Sequence, residues 1–316
     1  MSNLIYSLNA TMPLVLVVIL GIILRKTGFL DQEFGNRSDR FVFCFTIPPT
    51  MFLTMYEMDL AAGFDMRLLL YCMGATVLTI FGAWAMGKII LRDNRDALGE
   101  FIQACYRSSV AVLGYIILSN IYGSTPTAPM MILGSVPLYN IAACLILVLT
   151  SPDEHRDAGS QVTKAILGVV KNPIILGIAA GSIASLLHIH VPAILLSTAR
   201  SVGSLTAPLT LISIGIGFKG KEVLGEVGPS VTATVFKLIL IPLIFVPVAA
   251  LMGFRGDSLV TILVMLASPV APASYTMARK FGHSGVISAS TIMLTTVGSA
   301  ITLTIWLTIL KSLNMV

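Results

Sequence analysis

Charge is scarce in this sequence. Only 11% of its 316 residues are Asp, Glu, Lys or Arg, against 56% hydrophobic. A water-soluble domain usually carries about 25% charged residues, so the composition excludes a soluble domain of useful size. Cysteine is scarce too, and the four present, Cys44, Cys72, Cys105 and Cys144, all lie inside apolar runs. That placement reads as buried free thiols and argues against both a disulfide framework and a metal site. No Asp or Glu falls in the middle of an apolar run, and the four histidines fall between runs. A proton relay through a buried carboxylate is therefore unsupported, as is a highly charged sodium site, although serine hydroxyls and carbonyls remain able to hold sodium. No nucleophile–base pair and no paired metal ligands stand at membrane depth, which argues against an intramembrane enzyme. No cofactor is expected; the coupling ion, H+ or Na+, stays open. The N-terminus, MSNLIYSLNATMPLV, has no basic region ahead of its apolar run. That run is expected to be a retained helix rather than a cleaved signal.

What is present in abundance is apolar stretches of about 20 residues, each long enough to cross a hydrocarbon core of about 30 Å. The pattern predicts an all-α polytopic membrane protein with ten helices at 5–24, 38–58, 67–91, 97–122, 127–150, 173–188, 194–217, 229–253, 257–281 and 285–311. The longest polar stretch, SPDEHRDAGSQVTK, follows the fifth helix and leads into AILGVVK, expected at the interface. Asn172-Pro173 should start the sixth helix, with Asn as cap and Pro at the first helical position. Fourteen of the 20 Lys and Arg lie in or beside the loops after helices 1, 3, 5, 7 and 9; only Arg67, Arg255 and Lys311 lie on the opposite side. The positive-inside rule puts the odd loops, including 151–172, in the cytoplasm of a cytoplasmic (inner) membrane and both termini outside. The basic balance thus reflects topology and not nucleic-acid binding.

Two proline motifs interrupt apolar runs: TIPPT at 46–50 and TAPLT at 206–210. An interior proline costs a helix roughly 3 kcal/mol, so the placement calls for a reason. Thr46, Pro48 and Thr50 match Thr206, Pro208 and Thr210 at an offset of 160 positions, and the same offset relates Pro13 to Pro173, Gly21 to Gly181 and Arg40 to Arg200. The chain therefore divides into a first five-helix repeat (1–150), a linker with an interfacial segment (151–172) and a second repeat (173–316). Five is odd, so the second copy enters the membrane from the other side. Inverted repeats of this kind are typical of secondary transporters, with a midplane site between the copies. The prolines are expected to bend two equivalent helices around a shared axis.

Helices 4 and 9 are the expected site. In ASPVAPASYTMARKFG, Pro269 and Pro272 stand three apart, flanked by Ser268, Ser274 and Tyr275. Such a segment should leave helical geometry, which at this depth is tolerated only inside protein or beside a water-filled cavity. The matched stretch SSVAVLGY, with Ser108, Ser109 and Gly114, has no proline, so a milder break is expected there. Half-helix N-termini at such breaks would favour an anion. Arg107 lies just before the second stretch, about 15 Å deep at 1.5 Å per residue, and is expected to clamp a carboxylate. The alternative is a wet stripe with Glu100 and Gln103, in which Arg107 snorkels or pairs with Glu100. Asn140 in helix 5 is expected to bond across helices or to the ligand. Lys237 is expected to reach the cytoplasmic interface along its stem, and Arg200 to snorkel at the outer one.

The motifs PLVLVVILGIILRKTGFLD, FTIPPTMFL, KNPIILGIAAGSI, LTAPLTLISIGIGF and SPVAPASYTMARKFG together resemble the auxin efflux carrier family in its bacterial, malonate-carrier-like branch. The resemblance covers nearly the whole chain. It implies a scaffold of helices 1, 2, 6 and 7, a moving domain of helices 3–5 and 8–10, an organic anion held where helices 4 and 9 cross, and a homodimer through the scaffold. The chain departs from the pattern in helix 4, where Val110 and Leu113 stand opposite Pro269 and Pro272. The expectation is a secondary transporter of a small organic anion with an elevator-like motion, its substrate held by Arg107, Ser108, Ser109, Asn140, Ser268, Pro269, Pro272 and Ser274. An uncoupled facilitator or a non-transporting sensor of the same fold are the alternatives.

Overall fold

The computed structural model describes residues 13, 16–57, 65–92, 94–110, 118, 127–151, 171–217 and 227–316. The expected interfacial segment, the bulk of the 151–172 linker, Gly114 and the second half of the fourth span lie outside these residues. All the named elements are helical: α1 (16–26), α2 (Gln32–Phe41), α3 (Ile47–Tyr56), α4 (Met66–Leu91), α5 (Arg95–Tyr106), α6 (Ala128–Leu149) and α7 (Pro173–Leu186). There follow α8 (Ala193–Ser204), α9 (Thr206–Gly217), α10 (Val227–Val235), α11 (Ile241–Leu251), α12 (Gly256–Ala267), α13 (Ala273–Lys280) and α14 (Val286–Ser312).

Among the described residues, five helical stretches are long and apolar enough to cross a membrane: Met66–Leu91, Ala128–Leu149, Ala193–Gly217, Val227–Leu251 and Val286–Ser312. Outward faces carry bare side chains such as Phe81, Ile89 and Leu251, which suit hydrocarbon and not water. Local chemistry sets the helix starts. Asp31 accepts from the Phe34 N–H at 2.7 Å, Asp65 from Arg67 at 2.9 Å, Asn94 from Ala97 at 3.1 Å and Asn172 from Ile174 at 2.9 Å. Each such cap stabilises its helix by about 1 kcal/mol.

The prolines act through widened turns. Between α2 and α3, residues Val42–Thr46 form a π turn in which the Ile47 N–H reaches back to the Val42 carbonyl. Pro48 and Pro49 have no N–H to continue the ladder, and threonine hydroxyls add bonds on either side of them: Thr46 Oγ1 donates to Val42 O at 3.2 Å and Thr50 Oγ1 to Thr46 O at 2.8 Å. A second π turn, Phe236–Leu240, precedes Pro242 in the same way. Between α8 and α9 the helix is interrupted at Leu205, just before Thr206 and Pro208.

Packing sorts the helices into two groups. α3 packs on α7 and α8, and α2 on α9; α4 packs on α5 and α6, α10 on α14, and α11 on α12. Within the first group the same contact occurs twice. A Cβ on Gly21 would lie 2.5 Å from the Ile212 carbonyl oxygen and 3.0 Å from Gly215 Cα. A Cβ on Gly181 would lie 2.4 Å from the Phe52 carbonyl oxygen and 3.0 Å from Met55 Cβ. Gly21 and Gly181, Ile212 and Phe52, and Gly215 and Met55 are each separated by 160 positions. Helix 1 on helix 7 and helix 6 on helix 2 are one interface in two copies.

Candidate functional site

α5 stops at Tyr106, and Arg107 takes an extended backbone at φ −79°, ψ 114°. α12 stops at Ala267, Ser268 is extended at φ −64°, ψ 151°, and helix resumes only at Ala273. The two interruptions meet. Ser108 and Val270 form an antiparallel bridge, and the Ser109 N–H donates to the Pro269 carbonyl at 2.9 Å. Backbone groups freed by the breaks find partners at this depth, as they must: the Val270 N–H donates to Thr295 Oγ1 of α14 at 3.0 Å. Gln103 Nε2 adds a third tie, donating to the Ser274 carbonyl at 2.9 Å.

The break in helix 4 differs from the sequence expectation. It begins one residue earlier, at Arg107 itself, and it is a full departure from helix into extended backbone. No proline is needed, because the partner segment at Pro269 supplies the acceptor that an intact helix would have supplied.

The eight expected site residues fall around this crossing. Arg107 is 5% exposed. Its guanidinium donates to Asn140 Oδ1 at 2.8 Å, to Gln103 Oε1 at 3.3 Å and to Met277 Sδ at 2.7 Å. Asn140 is oriented in turn by its Nδ2 donating to Val136 O at 2.8 Å. Ser268 Oγ donates to the Val264 carbonyl at 2.5 Å, whereas the buried Ser274 hydroxyl has no partner among the described residues. Pro269 and Pro272 bracket the extended segment. The snorkelling reading of Arg107 is corrected: Glu100, Gln103 and Arg107 are all buried, and the arginine engages neutral groups.

Lys237 is a second correction. Instead of reaching an interface, it is 1% exposed. Its ammonium donates to Leu266 O at 3.0 Å, to Tyr106 O at 3.4 Å and, in a short contact, to Ser108 Oγ. It lies inside the π turn Phe236–Leu240. Two of its acceptors are carbonyls near the ends of α5 and α12, which the residues around Lys237 do not record. Among the described residues, ion pairs join Arg37 to Glu33, Arg200 to Glu57 and His283 to Asp96; neither Arg107 nor Lys237 meets a carboxylate.

Glu100 serves a different purpose from the one its spacing suggests. Its carboxylate accepts from the Gly285 N–H at 2.6 Å, the Ser284 hydroxyl at 2.9 Å and the Ser288 N–H at 2.8 Å, closing the N-terminus of α14. Beside it, the buried His283 ring faces Leu147 O at 2.9 Å through Nε2 and Asp96 O at 3.0 Å through Nδ1, with Asp96 Oδ1 at 3.2 Å. Both ring nitrogens face acceptors, which suits an imidazolium. Burial works against its charge, but the Asp96 carboxylate and the two carbonyls outweigh it and raise the His283 pKa above its ordinary value of 6.5. Asp96, Glu100 and His283 are close enough to suggest a metal site. Their ligand atoms are already engaged by protein groups, so the cluster works as a tie between α5, α6 and α14.

A cavity of about 210 Å³ opens between α2 and α13, lined by Asn36, Asp39, Arg40, Thr276, Arg279 and Lys280. It lies at the basic end of α2 and α13 and not at the crossing.

Comparison with known proteins agrees with this architecture. The family described as membrane transport protein matches residues 6–307. An uncharacterised transporter of Methanothermobacter thermautotrophicus is 22% identical over 319 residues, covering 96% of this chain and 98% of the relative. An uncharacterised transporter of Methanocaldococcus jannaschii is 20% identical over 315 residues, covering 95% and 97%.

Proposed function

The chain belongs to the membrane transport protein family, and from that premise we propose that it is a secondary carrier of a small organic anion, a carboxylate, bound at the crossing of α5 with α12–α13. One observation carries the choice of an anion: a buried guanidinium, Arg107, stands at the crossing without a carboxylate partner among the described residues. An arginine at membrane depth costs roughly 2.5–3.5 kcal/mol on insertion scales, and residues kept there at that cost mark substrate or ion pathways. Arg107 clamps the carboxylate, Asn140 holds the guanidinium in place, and the hydroxyls of Ser108, Ser109, Ser268 and Ser274 complete the pocket. Pro269 and Pro272 keep the segment open for the cargo.

Arg107, Ser108, Ser268 and Ser274 are buried in this conformation, so cargo reaches them only when the α4–α6 and α10–α14 group shifts against the α1–α3 and α7–α9 group. This is the elevator-like motion of an inverted repeat. The doubled glycine interface and the antiparallel meeting of the two breaks support that symmetry. The charge bias of the loops supports cytoplasmic odd loops and external termini. A second copy of the chain would pack on the bare apolar faces of the scaffold, such as Ile194 and Leu195 of α8.

The test is a thermal-shift screen of purified protein against C2–C6 mono- and dicarboxylates, followed by uptake of the hits into proteoliposomes under imposed H+ and Na+ gradients. Saturable uptake of a carboxylate is expected. Binding without flux would make the protein a sensor, and an absence of carboxylate binding would overturn the reading.

A further inference from the structure

Lys237 is not among the residues that the family resemblance or the spacing of helices 4 and 9 points to, yet it is the side chain most completely committed to the crossing. An ammonium has three N–H donors, and here three oxygens receive them: Tyr106 O, Ser108 Oγ and Leu266 O. The two carbonyls have a common origin. Tyr106 is the last residue of α5, and Leu266 is one residue from the end of α12. Each helix ends with unsatisfied carbonyls and about half a unit of negative partial charge. One cation, delivered from helix 8, therefore neutralises both broken ends. Moreover, Tyr106 and Ser108 flank Arg107 on either side in the chain, so the lysine holds the chain on both sides of the arginine, through the Tyr106 carbonyl and the Ser108 hydroxyl.

We propose that Lys237 is the positioning residue of the crossing: its charge ties the C-terminal ends of α5 and α12 together and thereby fixes the extended backbone that aims Arg107 at Asn140. The lysine itself does not touch the cargo, because its donors are all spent on protein oxygens. It belongs to the same packing group as both broken helices, so the tie travels with the site instead of breaking in each cycle. The part of this inference that concerns anion affinity rests on the reading of Arg107 given above; the part that concerns the backbone does not.

The experiment compares the full-length protein with its Lys237→Met, Lys237→Arg and Ser108→Ala variants, in detergent or nanodiscs. Two quantities are read: amide hydrogen exchange in peptides covering 103–110 and 264–273, and the Kd of the tightest carboxylate found in the C2–C6 panel. Lys237→Met should speed exchange in those two peptides by at least tenfold and raise Kd by at least tenfold. Lys237→Arg, which keeps the charge, should restore both to within about threefold. Ser108→Ala removes one of the three oxygens and should move both in the same direction by a smaller factor, which keeps the inference testable if Lys237→Met does not fold. Wild-type exchange in Lys237→Met would overturn the proposal. A raised Kd with wild-type exchange would overturn it also, since the lysine would then be a direct ligand. If no carboxylate binds the unaltered protein, the anion reading falls while the exchange comparison still decides the role of Lys237.

Discussion

The hydroxyl of Thr206 donates to that of Thr46 at 2.8 Å, across 160 positions of sequence. The two threonines that the repeat equates thus meet in space, each just ahead of its proline. Thr50 Oγ1 lies 3.3 Å from Thr206 Oγ1 and bonds the Thr46 carbonyl at 2.8 Å; its counterpart Thr210 bonds the Thr206 carbonyl at 2.7 Å. TIPPT and TAPLT therefore meet at one seam, where threonine hydroxyls bond one another and the carbonyls four residues back.

Removing either hydroxyl at this seam should cost about 1 kcal/mol, the usual worth of an internal hydrogen bond. Thr46→Val and Thr206→Val should each lower the apparent melting temperature of the purified protein. Because they share one bond, the double variant should lose less than the sum of the two. Full additivity would mean that the bond between them contributes nothing.

Gly21→Ala and Gly181→Ala should be alike in effect. In each, a new Cβ lands about 2.5 Å from a backbone carbonyl oxygen, which cannot be relieved by turning a side chain. Overpacking of this sort costs typically 1–3 kcal/mol. Both variants should lose stability, by amounts within about 1 kcal/mol of each other. A large loss in one and none in the other would show that the two interfaces are not equivalent.

Stability should depend on pH through His283. Its folded pKa is raised above the unfolded value of 6.5. The stability it contributes is fully present below pH 6.5 and is lost as pH rises through the higher folded value. A melting-temperature profile from pH 5.5 upward should therefore fall above pH 6.5. In His283→Gln the fall should be much reduced. A wild-type profile flat over that range would contradict the imidazolium reading.

Arg107→Gln keeps a polar side chain near Asn140 but removes the charge. Carboxylate affinity should drop by at least tenfold while the protein remains folded in the thermal assay. Arg107→Lys should rescue poorly, since an ammonium cannot reproduce the planar fork. Unchanged affinity in Arg107→Gln would remove this arginine from the site.

The parts of this architecture that are legible in sequence are those with a local cause. Pro269 and Pro272 announce the interruption of helix 9, since a ring and a missing N–H act wherever they occur. The 160-residue offset is visible because glycines and prolines at close contacts tolerate few replacements. The break at Arg107 has a tertiary cause, an acceptor on Pro269 that no local pattern records. Lys237 is hidden in the same way, since its acceptors Tyr106 O and Leu266 O lie on other helices. Glu100 looks like one member of a polar stripe because its true partners, the N–H groups of Gly285 and Ser288, are 185 and 188 positions away.

Counterflow tests the central claim most directly. Proteoliposomes are loaded with an unlabelled carboxylate chosen from the binding screen, and uptake of the same labelled anion is followed without any ion gradient. A carrier whose crossing is exposed to one side at a time should take up label faster from loaded than from empty vesicles, with a transient overshoot. Equal uptake in loaded and empty vesicles, rising without saturation, would contradict alternating access and leave an open pathway in its place.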